Sequence, residues 1–171
     1  MRDSQTFDEF YAGTVHRVIG QLHAMTGDRA GAEDVVQEAY ARAWQRWDRL
    51  SGYGEPEAWV RTVAYRISVS SWRKTVNRGI AHRRHGAGTA VPAISADYVA
   101  VVAALRKIGE SQRRAVVLHY LVGLSVSEIA RETGASQSAV KARLLRGRQA
   151  LSGHLSEAAT GPGPEEATSR A

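Results

Sequence analysis

The chain is 171 residues long and 43% apolar, enough for one ordinary domain or two small ones and too apolar for global disorder. It has no cysteine, which excludes disulfides, zinc–thiolate centres and a cysteine nucleophile. Its net charge of +6 favours a polyanionic partner, most often nucleic acid. The N-terminus lacks a signal-peptide core and no apolar run approaches a membrane span, so the expectation is a soluble, cytoplasmic protein.

From the N-terminus, Phe7, Phe10, Tyr11, Val15, Val18, Ile19 and Leu22 recur at helical spacing, and Thr26-Gly27-Asp28 ends the pattern with a turn signal. A second helix is expected from about Asp28 to Trp47, with Ala32, Val36, Tyr40, Ala43, Trp44 and Trp47 as its apolar stripe. Ser51 to Pro56 reads as a loop whose proline suits a first helical turn. A third helix is anchored by Trp59, Val60, Val63, Ala64, Ile67 and Trp72. Residues 77–95, with His82-Arg-Arg-His85 and a Gly-, Ala- and Pro-containing stretch to Pro92, read as a flexible basic linker.

Beyond it, Asp97 is placed to cap a helix carrying Val101, Val102, Leu105 and Ile108. Ser111 is placed to cap the next, with Ala115, Val116, Leu118 and Leu121 partly inward. Ser125-Val-Ser-Glu128 has the spacing of a capping box, in which the serine and glutamate side chains each satisfy a free backbone donor. A short helix, Val126–Thr133, is followed by Gly134 for a tight turn, and Ser136 caps a longer helix with Val140, Leu144 and Leu151 on one side. No strand pattern competes. The fold class is all-α: two small helical domains, residues 5–76 and 96–157, joined by the 77–95 linker, with 158–171 as a disordered tail. The C-terminal domain is a helix-turn-helix.

The chemistry concentrates in three tracts. The exposed face of the last helix should carry Gln137, Ser138, Lys141, Leu145 and Arg146, flanked by Arg143 and Arg148, with no acidic residue between Glu132 and Glu157. Polar and cationic groups without carboxylates are what major-groove entry requires. The second tract holds Arg61, Arg66, Arg73, Lys74, Arg78, Arg83 and Arg84, interleaved with Tyr65 and Trp72 and free of acids from Glu57 to Asp97. Cations for a backbone and aromatic faces for unstacked bases suit melted or single-stranded DNA. Trp59 reads as core, and Trp72 equally as core or as a face for an unstacked base. The third is the helix face of Asp34, Gln37 and Glu38, which would repel phosphates; it reads as a protein-binding face or a plain solvated surface. The six histidines form no cluster with carboxylates, and no phosphate loop or nucleophile elbow occurs, so no catalytic residue, metal or cofactor is expected.

These residues resemble a known family. Gly27-Asp28, Ala32-Glu-Asp-Val-Val-Gln-Glu38 and Ala43-Trp44, then Glu57-Ala-Trp-Val-Arg-Thr-Val-Ala64 and Trp72-Arg-Lys74, are similar to region 2 of extracytoplasmic-function (ECF) sigma factors. Leu121 to Ala130 and Ser138 to Leu151 resemble region 4. The resemblance implies a sigma factor, not an enzyme, that binds core RNA polymerase and directs promoter recognition, melting and initiation. It implies that Asp34, Gln37 and Glu38 dock on the β′ clamp helices. Arg61, Tyr65, Arg66, Trp72, Arg73 and Lys74 would meet the −10 element. Gln137, Ser138, Lys141, Arg143, Leu145 and Arg146 would read the −35 element. Partners would be core polymerase (the β′ clamp helices and the β subunit), promoter DNA and an anti-sigma factor. The chain departs from the family pattern at Arg66 and Ser70, where Asn and Asp are common, and at Ile108-Gly109, where Leu-Pro is common. The competing reading is a stand-alone helix-turn-helix regulator, which does not need the basic-aromatic tract of the N-terminal half. A nucleic-acid-processing enzyme lacks the carboxylate cluster it would need.

Overall fold

The computed structural model describes residues 4–52, 54–77 and 96–159, and among them every regular element is a helix. The N-terminal half contains α1 (Ser4–Thr26), α2 (Arg29–Gln45), the single turn α3 (Trp47–Leu50) and α4 (Pro56–Asn77). The C-terminal half contains α5 (Ala96–Arg106), α6 (Glu110–Tyr120), α7 (Val126–Thr133) and α8 (Gln137–Ala159). The expected linker and tail lie largely outside the described residues.

Helices α1 and α2 form a hairpin because the chain reverses at Gly27, which adopts φ 76°, a region where only glycine is unstrained. Asp28 then caps α2, its carboxylate accepting from the Gly31 amide at 3.0 Å. Helix α4 packs across both. Val18, Leu22, Val36, Ala39, Val60 and Ala64 are sealed between the three helices. At the open end of the hairpin Phe7, Phe10, Tyr40 and Trp47 stack into an aromatic cluster, and Trp47 Nε1 donates to Thr6 Oγ1 at 3.1 Å. That burial explains a departure from the expected second helix. The chain leaves helical geometry at Arg46 (φ −121°, ψ 15°), so Trp47 turns inward at the start of α3 rather than extending α2.

In the C-terminal half α8 is the backbone against which α5, α6 and α7 pack, around Leu105, Ile108, Val116, Leu118, Ile129 and Val140. Three sequence expectations shift here. Asp97 lies one residue inside α5, where its charge favours the helix N-terminus without capping it. Gly109, not Ser111, is the residue before α6, and it supplies no side-chain cap. Leu121 falls just past the end of α6 and is exposed. The buried residues of the two halves join in one continuous apolar cluster through contacts of α1 with α5 and α6. Polar contacts reinforce that seam. The Tyr98 hydroxyl donates to the Gly20 carbonyl at 2.9 Å, and Arg113 Nε donates to the Met25 carbonyl at 2.6 Å near the C-terminus of α1.

Candidate nucleic-acid and polymerase interfaces

The helix-turn-helix is built as its sequence dictates. Ser125 Oγ accepts from the Glu128 amide at 3.3 Å while Glu128 Oε2 accepts from the Ser125 amide at 2.7 Å, closing the capping box. These hydrogen bonds, first the one from the Ser125 side chain, hold the Glu128 carboxyl below its ordinary pKa. Gly134 ends α7 at φ 68°, and the Ser136 hydroxyl accepts from the Ala139 amide at 3.2 Å to start α8. Buried Ile129 and Val140 then lock α7 against α8. The first three turns of α8 present Gln137, Ser138, Lys141, Leu145 and Arg146 to solvent, with Arg143 half-buried beside them and Arg148 exposed. Leu145, half exposed, is an apolar side chain on a cationic face.

On α2, Asp34, Gln37 and Glu38 are all exposed, and Ala32, Val36 and Ala39 on the opposite side are buried. Glu38 pairs with Arg42 one turn on, and Arg29 with Glu33 at 3.3 Å, so the face carries intrahelical ion pairs around a net acidic centre. The solvated Glu38–Arg42 pair contributes only a few tenths of a kcal/mol to stability, roughly 0.2–0.5, so the fold does not demand it.

The α4 tract is divided. Arg66 is exposed, and Trp59 is half-buried against the core, as expected. Arg61 and Tyr65 are buried. Arg61 faces the C-terminal half and forms a two-pronged ion pair with Glu132 of α7, Nε to Oε1 at 3.1 Å and Nη2 to Oε2 at 2.7 Å, with side-chain exposures of only 4% and 9%. The Tyr65 hydroxyl donates to Glu110 Oε1 at 2.6 Å, and the Arg114 guanidinium lies 3.8 Å from the centre of its ring. Burial, and next the Glu110 hydrogen bond, push the Tyr65 hydroxyl up to about 12, so it stays a donor at any working pH. Burial also lowers the Arg114 pKa. Further along, Arg17 grips Glu57 at the start of α4 with two hydrogen bonds, and this grip holds the Glu57 carboxyl below its usual range. Trp72, Arg73 and Lys74 fall in the last turns of α4, where their side chains lie outside the described residues, as do Arg78, Arg83 and Arg84. Glu110, Arg114 and Glu132 were not among the site residues expected from sequence. No local signal links them to α4, because Arg61 and Glu132 stand 71 positions apart.

Together these features define a helical protein with a helix-turn-helix in one half, its second helix exposing a cationic face, and an acidic-amide helix face in the other. Residues 98–151 match the family model for sigma-70 region 4, and residues 10–78 match sigma-70 region 2. The chain is 30% identical over 154 residues to the ECF RNA polymerase sigma factor SigK of Mycobacterium tuberculosis, covering 83% of this chain and 81% of that protein. It is 31% identical over 134 residues to SigL of the same organism, covering 74% and 76%. Two solved structures share its fold. The sigma factor RpoE in complex with the anti-sigma factor NepR, from Bartonella quintana, aligns at TM-score 0.75 and 21% identity over 89% of this chain and 98% of that one. CnrH in complex with the cytosolic domain of CnrY aligns at 0.64 and 22% identity over 90% of each. The chain belongs to the ECF group of sigma-70 family RNA polymerase sigma factors. It is an alternative sigma factor, which brings core polymerase to promoters and starts transcription there.

Proposed function

We propose a division of labour among three surfaces of this sigma factor. The exposed Asp34, Gln37 and Glu38 face of α2 docks on the β′ clamp helices of core polymerase, and the β subunit completes the core contact. The α4 tract, with Arg61, Tyr65, Arg66, Trp72, Arg73 and Lys74, engages the −10 element as it melts. Helix α8 enters the major groove of the −35 element with Gln137, Ser138, Lys141, Arg143, Leu145 and Arg146. The chain then consists of a region 2 domain (5–76), a connecting segment (77–95), a region 4 domain (96–157) and a tail. It works in the cytoplasm by binding alone, without catalysis of its own. An anti-sigma factor is part of the same reading, supported by the fold shared with RpoE, which is bound to the anti-sigma factor NepR.

One observation supports this assignment above the others: α8 offers five exposed polar, cationic or contact-making side chains on one face, within a stretch that has no carboxylate from Glu132 to Glu157. A stand-alone regulator would account for α8 but leave the exposed acidic-amide face of α2 without a partner. The test is run-off transcription from a cognate promoter with core polymerase. Wild-type protein should support initiation. Asp34→Lys with Glu38→Lys should abolish both initiation and co-purification with core polymerase while circular dichroism stays unchanged, because both side chains are solvated. Retained polymerase binding would overturn the docking assignment.

A further inference from the structure

Two residues assigned to melted DNA are already engaged within the chain, and what engages them has the chemistry of a nucleotide. A guanidinium binds carboxylate and phosphate through the same planar fork. The fork of Arg61 is filled by the Glu132 carboxylate in a two-pronged pair sealed from solvent. An aromatic ring receives an unstacked base on its face. The face of Tyr65 is instead covered by the flat guanidinium of Arg114, at 3.8 Å, while its hydroxyl donates to the Glu110 carboxylate. Carboxylates stand where phosphates would, and a planar cation stands where a base would. Resting on the assignment of α4 to the −10 element, we propose that Glu110, Arg114 and Glu132 form an internal plug. The C-terminal half occupies the α4 site in the free protein and must leave before that site takes single-stranded DNA.

The physical balance suits a plug that is removed in use. Burying two charges costs much of what their attraction returns, so an intact buried pair adds little net stability. Opening the seam returns both ions to water, and no charge is stranded. Removing one partner alone leaves the other buried and unpaired, which is costly in the closed form only. The pair therefore selects the register of closure without locking it. The seam is also undercut by solvent on both sides. One cleft of about 490 Å³, lined by Tyr65, Glu110, Arg114, Thr133 and Arg143, adjoins the tyrosine contact. Another of about 280 Å³, lined by Trp59, Thr62, Arg66, Leu124, Arg131 and Glu132, adjoins the ion pair.

The absence of native cysteine makes the test direct, because Arg49→Cys on α3 and Gln149→Cys on α8, both exposed, accept paired spin labels in the full-length chain. Distance distributions are measured by pulsed electron resonance in the free protein, and affinity for a mixed-sequence single-stranded deoxyoligonucleotide is measured alongside. Glu110→Gln with Glu132→Gln should convert a single narrow distance distribution into a broader, longer one and tighten oligonucleotide binding at least tenfold. The exchange Arg61→Glu with Glu132→Arg, read by distance alone, should keep the narrow distribution of the wild-type chain. An unchanged distance distribution in the Gln variant overturns the plug. A longer distance without tighter binding overturns the claim that these groups hold the place of DNA. Both readouts use the free chain, whereas core docking and initiation are read with polymerase present, so the two fail separately.

Discussion

Gly147 and Gly153 lie on the same helix, α8, and make opposite demands. A Cβ on Gly147 would stand 2.9 Å from Val116 Cγ2 and 3.4 Å from the Gln112 carbonyl of α6, so this glycine lets the two helices approach. A Cβ on Gly153 would meet nothing within 4 Å. Gly147→Ala should therefore destabilise the protein by roughly 1–3 kcal/mol through overpacking. Gly153→Ala should stabilise it by about 0.5–1 kcal/mol, the ordinary gain of alanine inside a helix. Thermal melting of the two variants should move in opposite directions, and a shared sign would refute the packing argument. The close approach at Gly147 also fixes how α8 is presented, and with it the adjacent Arg146. Arg146→Ala should cost about 1–3 kcal/mol of affinity for the −35 duplex and relax preference at one base position. A titration against matched and mutated duplexes reads this, and an unchanged preference would remove Arg146 from the reading face. The exposed set on α8 was legible because helical period, cap and charge coincide over a short stretch. The partner of Arg61 was not legible, since its identity depends on how helices far apart in sequence pack.

At the level of the helices, the junctions carry information that composition does not. The capping box at Ser125 and the turn at Gly134 were readable because their geometry needs particular residues at fixed spacing. The break at Arg46 was not, because the burial of Trp47 against Thr6 and Phe10 overrides a helix-compatible sequence. The contact between α1 and α5 offers a pH-dependent readout. His23 is half-buried with Nδ1 3.3 Å from the Tyr98 hydroxyl, and burial, then the Arg29 charge, holds its imidazole below the usual value of 6.5. In the unfolded chain this histidine takes up a proton near its ordinary pKa, while the folded chain resists it. Its contribution is thus complete above about pH 6.5 and declines as pH falls through that value toward the lower folded-state pKa. Urea midpoints measured from pH 7.5 to 5.5 should fall, and His23→Gln should flatten that slope. An equal slope in the variant would show that other groups set the dependence.

For the molecule as a whole, the excess of six positive charges is unevenly spread. With α8 in the proposed duplex-binding role, salt should weaken that binding steeply, with a logarithmic slope of about −0.9 for each phosphate neutralised. Arg148→Ala, exposed beside the reading face, should lower affinity evenly across sequences and reduce the slope by about 1. Binding isotherms across a salt series check both, and a sequence-selective loss would instead place Arg148 at a base edge. The all-helical class and the order of the two halves were legible from periodicity and turn residues. Their mutual packing was not, because the apolar stripes of α1, α5 and α6 look alike whether they serve one core or two.

The ion pair between Arg61 and Glu132 lies within a single chain, and residues 78–95 tether its two sides. An intramolecular contact is governed by the effective concentration that its tether sets, and dilution does not alter it. The closed fraction of this sigma factor is then the same in a cell that makes little of it as in one that makes much. Engagement of polymerase, a bimolecular event, scales with the amount of free core enzyme. Raising expression alone would enlarge the closed pool in proportion, and the supply of unoccupied core would decide how much of that pool reaches a promoter.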